Sequence, residues 1–270
     1  MRPGALKKAA AALQAGHPDL LVKGLACDVA NRGSVGELLR AVDDVFGGAP
    51  VVYLGANAGV LFPSSTVLTG SADEWNLTLQ VNVIGVVNTI QTFVPTMLAH
   101  GRDCCVVTTA SIAGLVTGIS GPYGTSKHAA VALTEALHHE LSRTPGGERI
   151  RLHVLCPGLV NTPLMHTSNE TTQLRDDLAS GPIDGTKPRG NDATSKLGTD
   201  VMFAETAWKA AMTTEHVAER LFEGIADGSF YIMVGDNVKS GVEARHAGIQ
   251  AIPSFHQTMS TGNATLRNKL

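Results

Sequence analysis

The stretch CCVVTTASIAGLVTGISGPYGTSKHAAVAL, from Cys104 to Leu133, joins a strand pattern to a helix pattern. Residues Cys104 to Ser111 read as a strand, and a helix follows Tyr123. Because this strand carries apolar residues on both faces, it fits a parallel sheet that helices cover on both sides. The stretch therefore predicts one strand–helix unit of an α/β fold.

The same alternation recurs along the chain. Further strands are predicted at Asp19–Val29, Val51–Gly59, Arg151–Gly158 and Phe230–Val234. Further helices are predicted from Ser34 to Gly47, from Ser71 to Gly101 and from Thr213 to Ile225, the first two with capping boxes at Ser34/Glu37 and Ser71/Glu74. The pattern predicts a doubly wound, mostly parallel, Rossmann-like sheet, which binds its ligands at the carboxyl ends of the strands.

The composition is that of a soluble globular protein. The chain has 270 residues, a formal net charge of -3 and a mean hydropathy of +0.08. This charge balance argues against a nucleic-acid or membrane partner, and we expect no apolar run long enough to span a bilayer. The N-terminal stretch has no signal-peptide pattern, and the four cysteines lie in strand-like runs. We therefore expect a cytoplasmic protein with buried free thiols.

Residues 161–200 form a polar stretch with Gly and Pro and little periodicity. We expect a single domain over 1–270 that carries this stretch as an insertion. At this position in a doubly wound enzyme, the insertion would act as a lid. A plain disordered loop explains the same composition equally well.

Tyr123 and Lys127 are the first candidates for chemistry. On a helix, residues four apart share one face. A tyrosine has an ordinary pKa near 10, and an adjacent ammonium favours the phenolate and lowers that pKa. The pair can therefore give or take a proton at an alcohol or carbonyl centre.

Other polar or small residues stand where they could complete such a site. Ser111 ends the preceding strand and could hold a substrate oxygen beside the phenol. Asn82 lies in a long apolar helix, where it could bind a water that supplies protons to the lysine. The sequences NAG at 57–59 and CPG at 156–158 place small residues at two more strand ends, where a ligand could approach the backbone.

Two other patterns do not support a site. The run GLVTGISG from Gly114 to Gly121 imitates a dinucleotide-binding loop, but it follows the wrong strand and suits a flexible loop on the substrate side. Glu135 and His138 have the spacing of a metal-binding pair, but no matching second pair accompanies them. We expect no metal site.

The motifs CDV (27–29), NAG (57–59), VNVIG (81–85), TTASIAG (108–114), YGTSK (123–127) and CPGLVNT (156–162) follow one another in this order. Together they resemble the classical short-chain dehydrogenase/reductase family, from about Arg2 to Thr162 and more loosely beyond. The resemblance implies an oxidoreductase that uses NAD or NADP on a small alcohol or carbonyl substrate. It also implies a homodimer or homotetramer formed through two long helices.

The resemblance assigns roles to individual residues. Tyr123 would be the acid/base, Lys127 would tune it and bind the nicotinamide ribose, Ser111 would polarise the substrate carbonyl, and Asn82 would complete a proton relay. The implied cofactor-binding residues are Tyr123 and Lys127 themselves, with Asp28 and Val29 at the adenine, Asn57, Ala58 and Gly59 at the turn, and Pro157, Gly158, Val160 and Thr162 at the nicotinamide end. For Asp28, an ordinary turn position is the competing interpretation.

One part of the family pattern has no match. The family opens with a strand, a TGxxxGxG turn, a helix and a second strand, whereas RPGALKKAAAAL resembles the helix that follows them. We expect that roughly 30 residues of a βαβ opening are missing, through a start codon placed too late or through genuine shortening. The first explanation is favoured, because the motifs of the site are intact. Two alternatives stay open: a non-catalytic scaffold or subunit partner, and an isomerase or lyase of the same family.

Overall fold

The computed structural model describes residues 3–62, 65–116, 121–162, 164, 211–236 and 238–251. Its sheet has four strands, β1 (Tyr53–Ala56), β2 (Cys104–Thr109), β3 (Ile150–Pro157) and β4 (Tyr231–Val234). They pair in chain order and every pairing is parallel. The predicted α/β fold with a parallel sheet is confirmed. Nearly all of the predicted insertion over 161–200 lies outside the described residues.

Helices connect the parallel strands. They are α1 (Pro3–Gly16), α2 (Arg32–Phe46), α3 (Ala72–Leu79), α4 (Gly85–His100), α5 (Gly121–Leu141), α6 (Thr214–Ala226) and α7 (Val238–Ala251). A π-helical turn, Gln80–Ile84, links α3 to α4, and short 3-10 turns occupy Ile112–Gly114 and Gly147–Arg149. Helix α7 had no counterpart among the sequence predictions.

The core lies on both faces of the sheet. Val106, Ile150 and Leu152 face α2, α4 and α5, whereas Val107 and Leu155 face α6. The neighbours Cys104 and Cys105 fall in these two different clusters, because successive side chains of a strand point to opposite faces. All four cysteines are free thiols; Cys27 is half-buried and the other three are buried.

The predicted strand at Asp19–Val29 is wrong. Residues 18–28 form no strand, and Leu20 and Leu21 are more than half exposed, at 58% and 54%. An apolar segment becomes a strand only when a neighbouring strand completes its hydrogen bonds. Among the described residues β1 is the edge of the sheet, and this segment does not pair with it.

The start of α2 also differs from the prediction. Asn31, not Ser34, caps this helix, and its side chain accepts a hydrogen bond from the Ser34 amide. The Ser34 hydroxyl instead accepts from the Asp28 amide, at 3.0 Å. The predicted end at Gly47 is confirmed, since this glycine has φ 61° and caps the helix in the left-handed conformation. The predicted capping box at Ser71 and Glu74 is confirmed in both of its hydrogen bonds.

The run of helix from Ala72 to His100 corrects another expectation. Its 29 residues are long and apolar enough to cross a membrane, by length and composition alone. Here it packs inside the fold: Phe93, Val94 and Met97 join the core against β1 and α2. A core helix of an α/β protein meets the same length and composition test.

Candidate active site

The carboxyl ends of β1, β2 and β3 lie at one edge of the sheet, because the three strands are parallel and in register. Ser111 follows β2 there and is buried. Its hydroxyl accepts a hydrogen bond from the Ala113 amide at 3.2 Å, which caps the short turn Ile112–Gly114. The same hydroxyl donates to the Pro157 carbonyl, 3.3 Å away at the end of β3. Ser111 is thereby fixed between two strand ends.

Tyr123 lies in the first turn of α5 and its phenol interacts with Ser111. Burial raises the pKa of Tyr123, and the hydrogen bond with Ser111 only partly opposes this effect. The sequence predicted a lowered pKa caused by Lys127. In the structure the pKa of Tyr123 is raised instead, because the effect of lost solvation is larger than the effect of the polar neighbours. The phenol is therefore protonated at neutral pH.

Lys127 is buried on the same face of α5. Its ammonium donates to the Thr109 carbonyl at 2.8 Å and lies 5.6 Å from the centroid of the Tyr123 ring. Burial lowers the pKa of Lys127 to about 8, although the nearby Cys156 thiol acts in the other direction. Burial also raises the pKa of Cys156 to about 12. The sequence placed the motif CPG (156–158) at this end of the sheet but assigned no role to Cys156 itself.

Asn82 occupies the π-helical turn between α3 and α4 and is 1% exposed. Its Oδ1 accepts from the Val60 amide at 2.8 Å. Its Nδ2 donates to the Val60 carbonyl at 3.0 Å and to the Ser126 hydroxyl at 2.9 Å. The amide is therefore held by protein groups on three sides, and π turns of this kind occur frequently at functional sites. A water on Asn82, which the sequence predicted, stays a prediction.

Asn57, Ala58 and Gly59 follow β1 as predicted for a ligand-contacting turn. Asn57 and Ala58 are exposed. A Cβ placed on Gly59 would lie 3.4 Å from Asn82 Oδ1 and 3.6 Å from Lys127 Nζ. Gly59 therefore leaves open a small space bordered by an amide oxygen and an ammonium.

Val29 lies beside the start of α4, and Asp28 precedes it in the turn before α2. The Asp28 carboxylate accepts from the Ala30 amide at 3.0 Å, which is the bond of an ordinary Asx turn. The Val29 carbonyl accepts from Asn88 Nδ2 at 2.8 Å. A Cβ on Gly85 would lie 2.7 Å from the Val29 side chain, so this glycine permits the close approach. The contact places Val29 near the π turn that carries Asn82.

The predicted segment after β3 runs from Pro157 to Thr162, and its predicted cofactor residues are all half-buried. The Gly158 amide donates to the Val234 carbonyl at 2.8 Å, which joins the segment to β4. Val160 forms an isolated parallel bridge with Met212. The segment therefore extends the edge of the sheet at which Ser111 lies. Ser111 is joined to it by its hydrogen bond to the Pro157 carbonyl.

Glu135 and His138, which have the spacing of a metal-binding pair, both contact aromatic residues at the start of β4. The Glu135 carboxylate accepts a hydrogen bond from the Tyr231 hydroxyl. The centroid of the His138 ring lies 5.2 Å from that of the Phe230 ring. Within the described part of the chain, no group of three or more His, Cys, Asp or Glu side chains could hold a metal ion.

The sequence also missed Ser126 and Val60, whose polar groups complete the surroundings of Asn82. Ser126 directly precedes Lys127 in YGTSK, and this position was the available signal. Taken together, a hydroxyl, a phenol and an ammonium meet at the carboxyl ends of parallel strands. Such a group can polarise an oxygen atom and deliver a proton to it.

Comparison with known proteins gives a family match for this architecture. The family model described as short chain dehydrogenase matches residues 2–173. A "CLA biosynthesis dehydrogenase/reductase" of Lactiplantibacillus plantarum is 28% identical over 240 residues, which are 87% of this chain and 79% of that protein. An "uncharacterized oxidoreductase" of Staphylococcus aureus (strain USA300) is 32% identical over 151 residues, or 56% of this chain. The match spans 62% of that relative's length.

Solved structures resemble the described fold. A short chain dehydrogenase/reductase from Burkholderia phymatum, in complex with NAD, has a TM-score of 0.77 at 31% sequence identity. That alignment covers 92% of this chain and 82% of the other. A putative short-chain dehydrogenase from Novosphingobium aromaticivorans has a TM-score of 0.69 at 26% identity, covering 99% of this chain and 83% of the other.

Proposed function

The chain belongs to the short-chain dehydrogenase family, and from that premise we propose that it interconverts an alcohol and a ketone or aldehyde with NAD or NADP. The observation that carries this proposal is the meeting of Ser111, Tyr123 and Lys127 at the carboxyl end of β2. Each side chain has a separate task in the reaction.

Tyr123 supplies the proton during reduction. The phenol is protonated at neutral pH and can donate its proton to a carbonyl oxygen, but burial raises its pKa and so makes it a weaker acid on its own. When the proton leaves, negative charge develops on the phenol oxygen. The Lys127 ammonium is buried 5.6 Å from the ring centroid and stabilises that charge more strongly than it would in bulk water.

Ser111 orients the substrate oxygen. Its hydroxyl already lies beside the phenol and has one proton, which it gives to the Pro157 carbonyl. Redirecting that proton to a substrate oxygen needs only rotation about the Cβ–Oγ bond. The buried position of Ser111 limits other movements, so the oxygen would be held in one place.

The residues around Gly59 suit the nicotinamide end of the cofactor. Of the three Lys127 ammonium protons, one goes to Thr109, which leaves donors for ribose hydroxyls beside the open space at Gly59. Asn57, Ala58 and the segment Pro157–Thr162 would border the same end, and Asp28 and Val29 the adenine. When bound, the nicotinamide gives or takes the hydride.

Isotope transfer tests this proposal. The chain is incubated with a panel of ketones and with NADH or NADPH that carries deuterium at C4 of the nicotinamide. The proposal expects an alcohol product with one deuterium on the carbinol carbon, from one face of the cofactor only. Product without the label from both the 4R-deuterated and the 4S-deuterated cofactor, or no product with any carbonyl compound in the panel, would contradict it.

A second candidate is a non-catalytic subunit partner. The observation in its favour is that β1 forms an edge of the sheet within the described residues, and that Tyr53, its first residue, is 44% exposed. Titration with NADH and NADPH separates the two candidates. A folded, oligomeric chain that binds neither nucleotide would favour the partner role, whereas saturable binding would favour the enzyme.

A further inference from the structure

Ser126 joins two parts of the candidate site that are distant in sequence. Its side chain is fully buried, at 0% exposure. The hydroxyl donates to the Tyr123 carbonyl at 2.7 Å, within α5. It also accepts from Asn82 Nδ2 at 2.9 Å, from the π turn between α3 and α4.

The direction of these bonds is fixed by chemistry. A backbone carbonyl can only accept, so the single Ser126 proton is used on Tyr123. The Ser126 oxygen can then only accept from its other neighbour, which must be the amino group of the Asn82 amide. The bonds to Val60 require the same orientation, with Oδ1 facing the Val60 amide and Nδ2 facing the Val60 carbonyl.

This orientation decides what Asn82 presents to the site. Its oxygen and Lys127 Nζ both border the space at Gly59. An acceptor is therefore directed towards the region of a buried ammonium. A rotated amide would place N–H donors there and would repel the same ammonium.

We propose that Ser126 is a positioning residue that ties Asn82 to the first turn of α5, and so holds Asn82, Tyr123 and Lys127 in one arrangement. Its hydroxyl contacts the backbone of Tyr123 and the amide of Asn82, so it acts through them. The effect on turnover rests on the proposed dehydrogenase function, whereas the effect on the mobility of the Asn82 amide does not.

Two variants and one control test this role. Ser126→Ala removes the hydroxyl, and Ser126→Cys keeps its size but offers only a weak acceptor. The control is Thr134→Val. Thr134 is also fully buried on α5, and its hydroxyl donates to the Ala130 carbonyl of the same helix at 2.8 Å.

The first measurement is hydrogen exchange of the Asn82 side-chain amide by NMR, with the signal assigned by its loss in Asn82→Asp. In the parent chain both Nδ2 protons are bonded and buried, so exchange is slow. We expect at least a tenfold faster exchange in Ser126→Ala, an intermediate effect in Ser126→Cys and less than a twofold change in Thr134→Val. Equal exchange in Ser126→Ala and the control would overturn the proposal.

The second measurement is the split between kcat and KM. We expect kcat to fall about tenfold in Ser126→Ala, with the cofactor Kd and substrate KM within twofold, since the loss affects alignment rather than contact. A change confined to thermal stability, with kcat unaltered, would refute the positioning role. If the parent chain has no turnover, the proposed function fails, and the exchange measurement alone decides on Ser126.

Discussion

Replacing Lys127 by Met should make the protein more stable near neutral pH, although it removes a functional side chain. Lys127 is buried, and burial lowers its pKa from 10.5 to about 8. A shift of this size corresponds to about 3 kcal/mol of destabilisation while the lysine is charged, at about 1.4 kcal/mol per pKa unit. Part of the gain is offset, because Met leaves the Thr109 carbonyl without the bond from Nζ, at a cost of about 1 kcal/mol.

The sign of the pH dependence follows from proton binding. Between the folded pKa near 8 and the unfolded value of 10.5, the unfolded chain binds more protons than the folded chain. Stability from this group therefore rises with pH across that window. The penalty is fully present below about pH 8 and is relieved progressively above it. Lys127→Met lacks this dependence, so its advantage should be largest at pH 7 and should shrink towards pH 9.5.

Urea unfolding without cofactor measures this difference. We expect Lys127→Met to be more stable than the parent by about 1–3 kcal/mol at pH 7, with a difference smaller by about 2 kcal/mol at pH 9.5. The comparison between two variants cancels the titration of the tyrosines, which both chains share. A Lys127→Met chain that is less stable than the parent at pH 7, or a difference independent of pH, would refute the assignment of a buried, destabilising ammonium.

Three further substitutions have defined outcomes. Gly114→Ala places a Cβ 2.5 Å from the Lys127 carbonyl oxygen, so the free energy of unfolding should fall by about 1–3 kcal/mol and the Tm should fall with it. An unchanged Tm in a thermal melt would contradict the close packing. Ser71→Ala removes the capping box with Glu74 and should cost about 1 kcal/mol in urea unfolding, with Ser71→Thr close to the parent; equal losses in both would argue against the cap. In Gly59→Ala the added methyl group meets its neighbours at ordinary van der Waals distances, so the free energy of unfolding should change by less than about 0.5 kcal/mol. The affinity for NADH or NADPH, measured by fluorescence titration, should nevertheless fall at least tenfold. Unaltered affinity would place the cofactor elsewhere.

The sequence predicts those elements that are determined by their own residues. Strand β2 carries apolar residues on both faces and β3 is mostly apolar. The Ser71–Glu74 box and Gly47 carry local end signals. The predicted strand at 19–29 fails because a strand depends on its neighbour in the sheet. The residues of one segment do not determine which strand lies beside it.

The sequence also predicts which residues belong to the site better than it predicts what surrounds them. Tyr123 and Lys127 share a helix face because of their spacing. The raised pKa of Tyr123 and the lowered pKa of Lys127 both result from burial, which only tertiary packing determines. The place of Asn82 in a π turn likewise depends on contacts with Val60 and Ser126, which lie 22 and 44 residues away in the chain.

The proton donor is the central claim, and Tyr123→Phe tests it most directly. The substitution removes one oxygen and keeps the ring beneath the Lys127 ammonium. With NADH or NADPH and a ketone that the parent reduces, we predict a loss of kcat of at least a thousandfold, with cofactor Kd within about threefold. A variant that keeps a kcat within tenfold of the parent would show that another group delivers the proton.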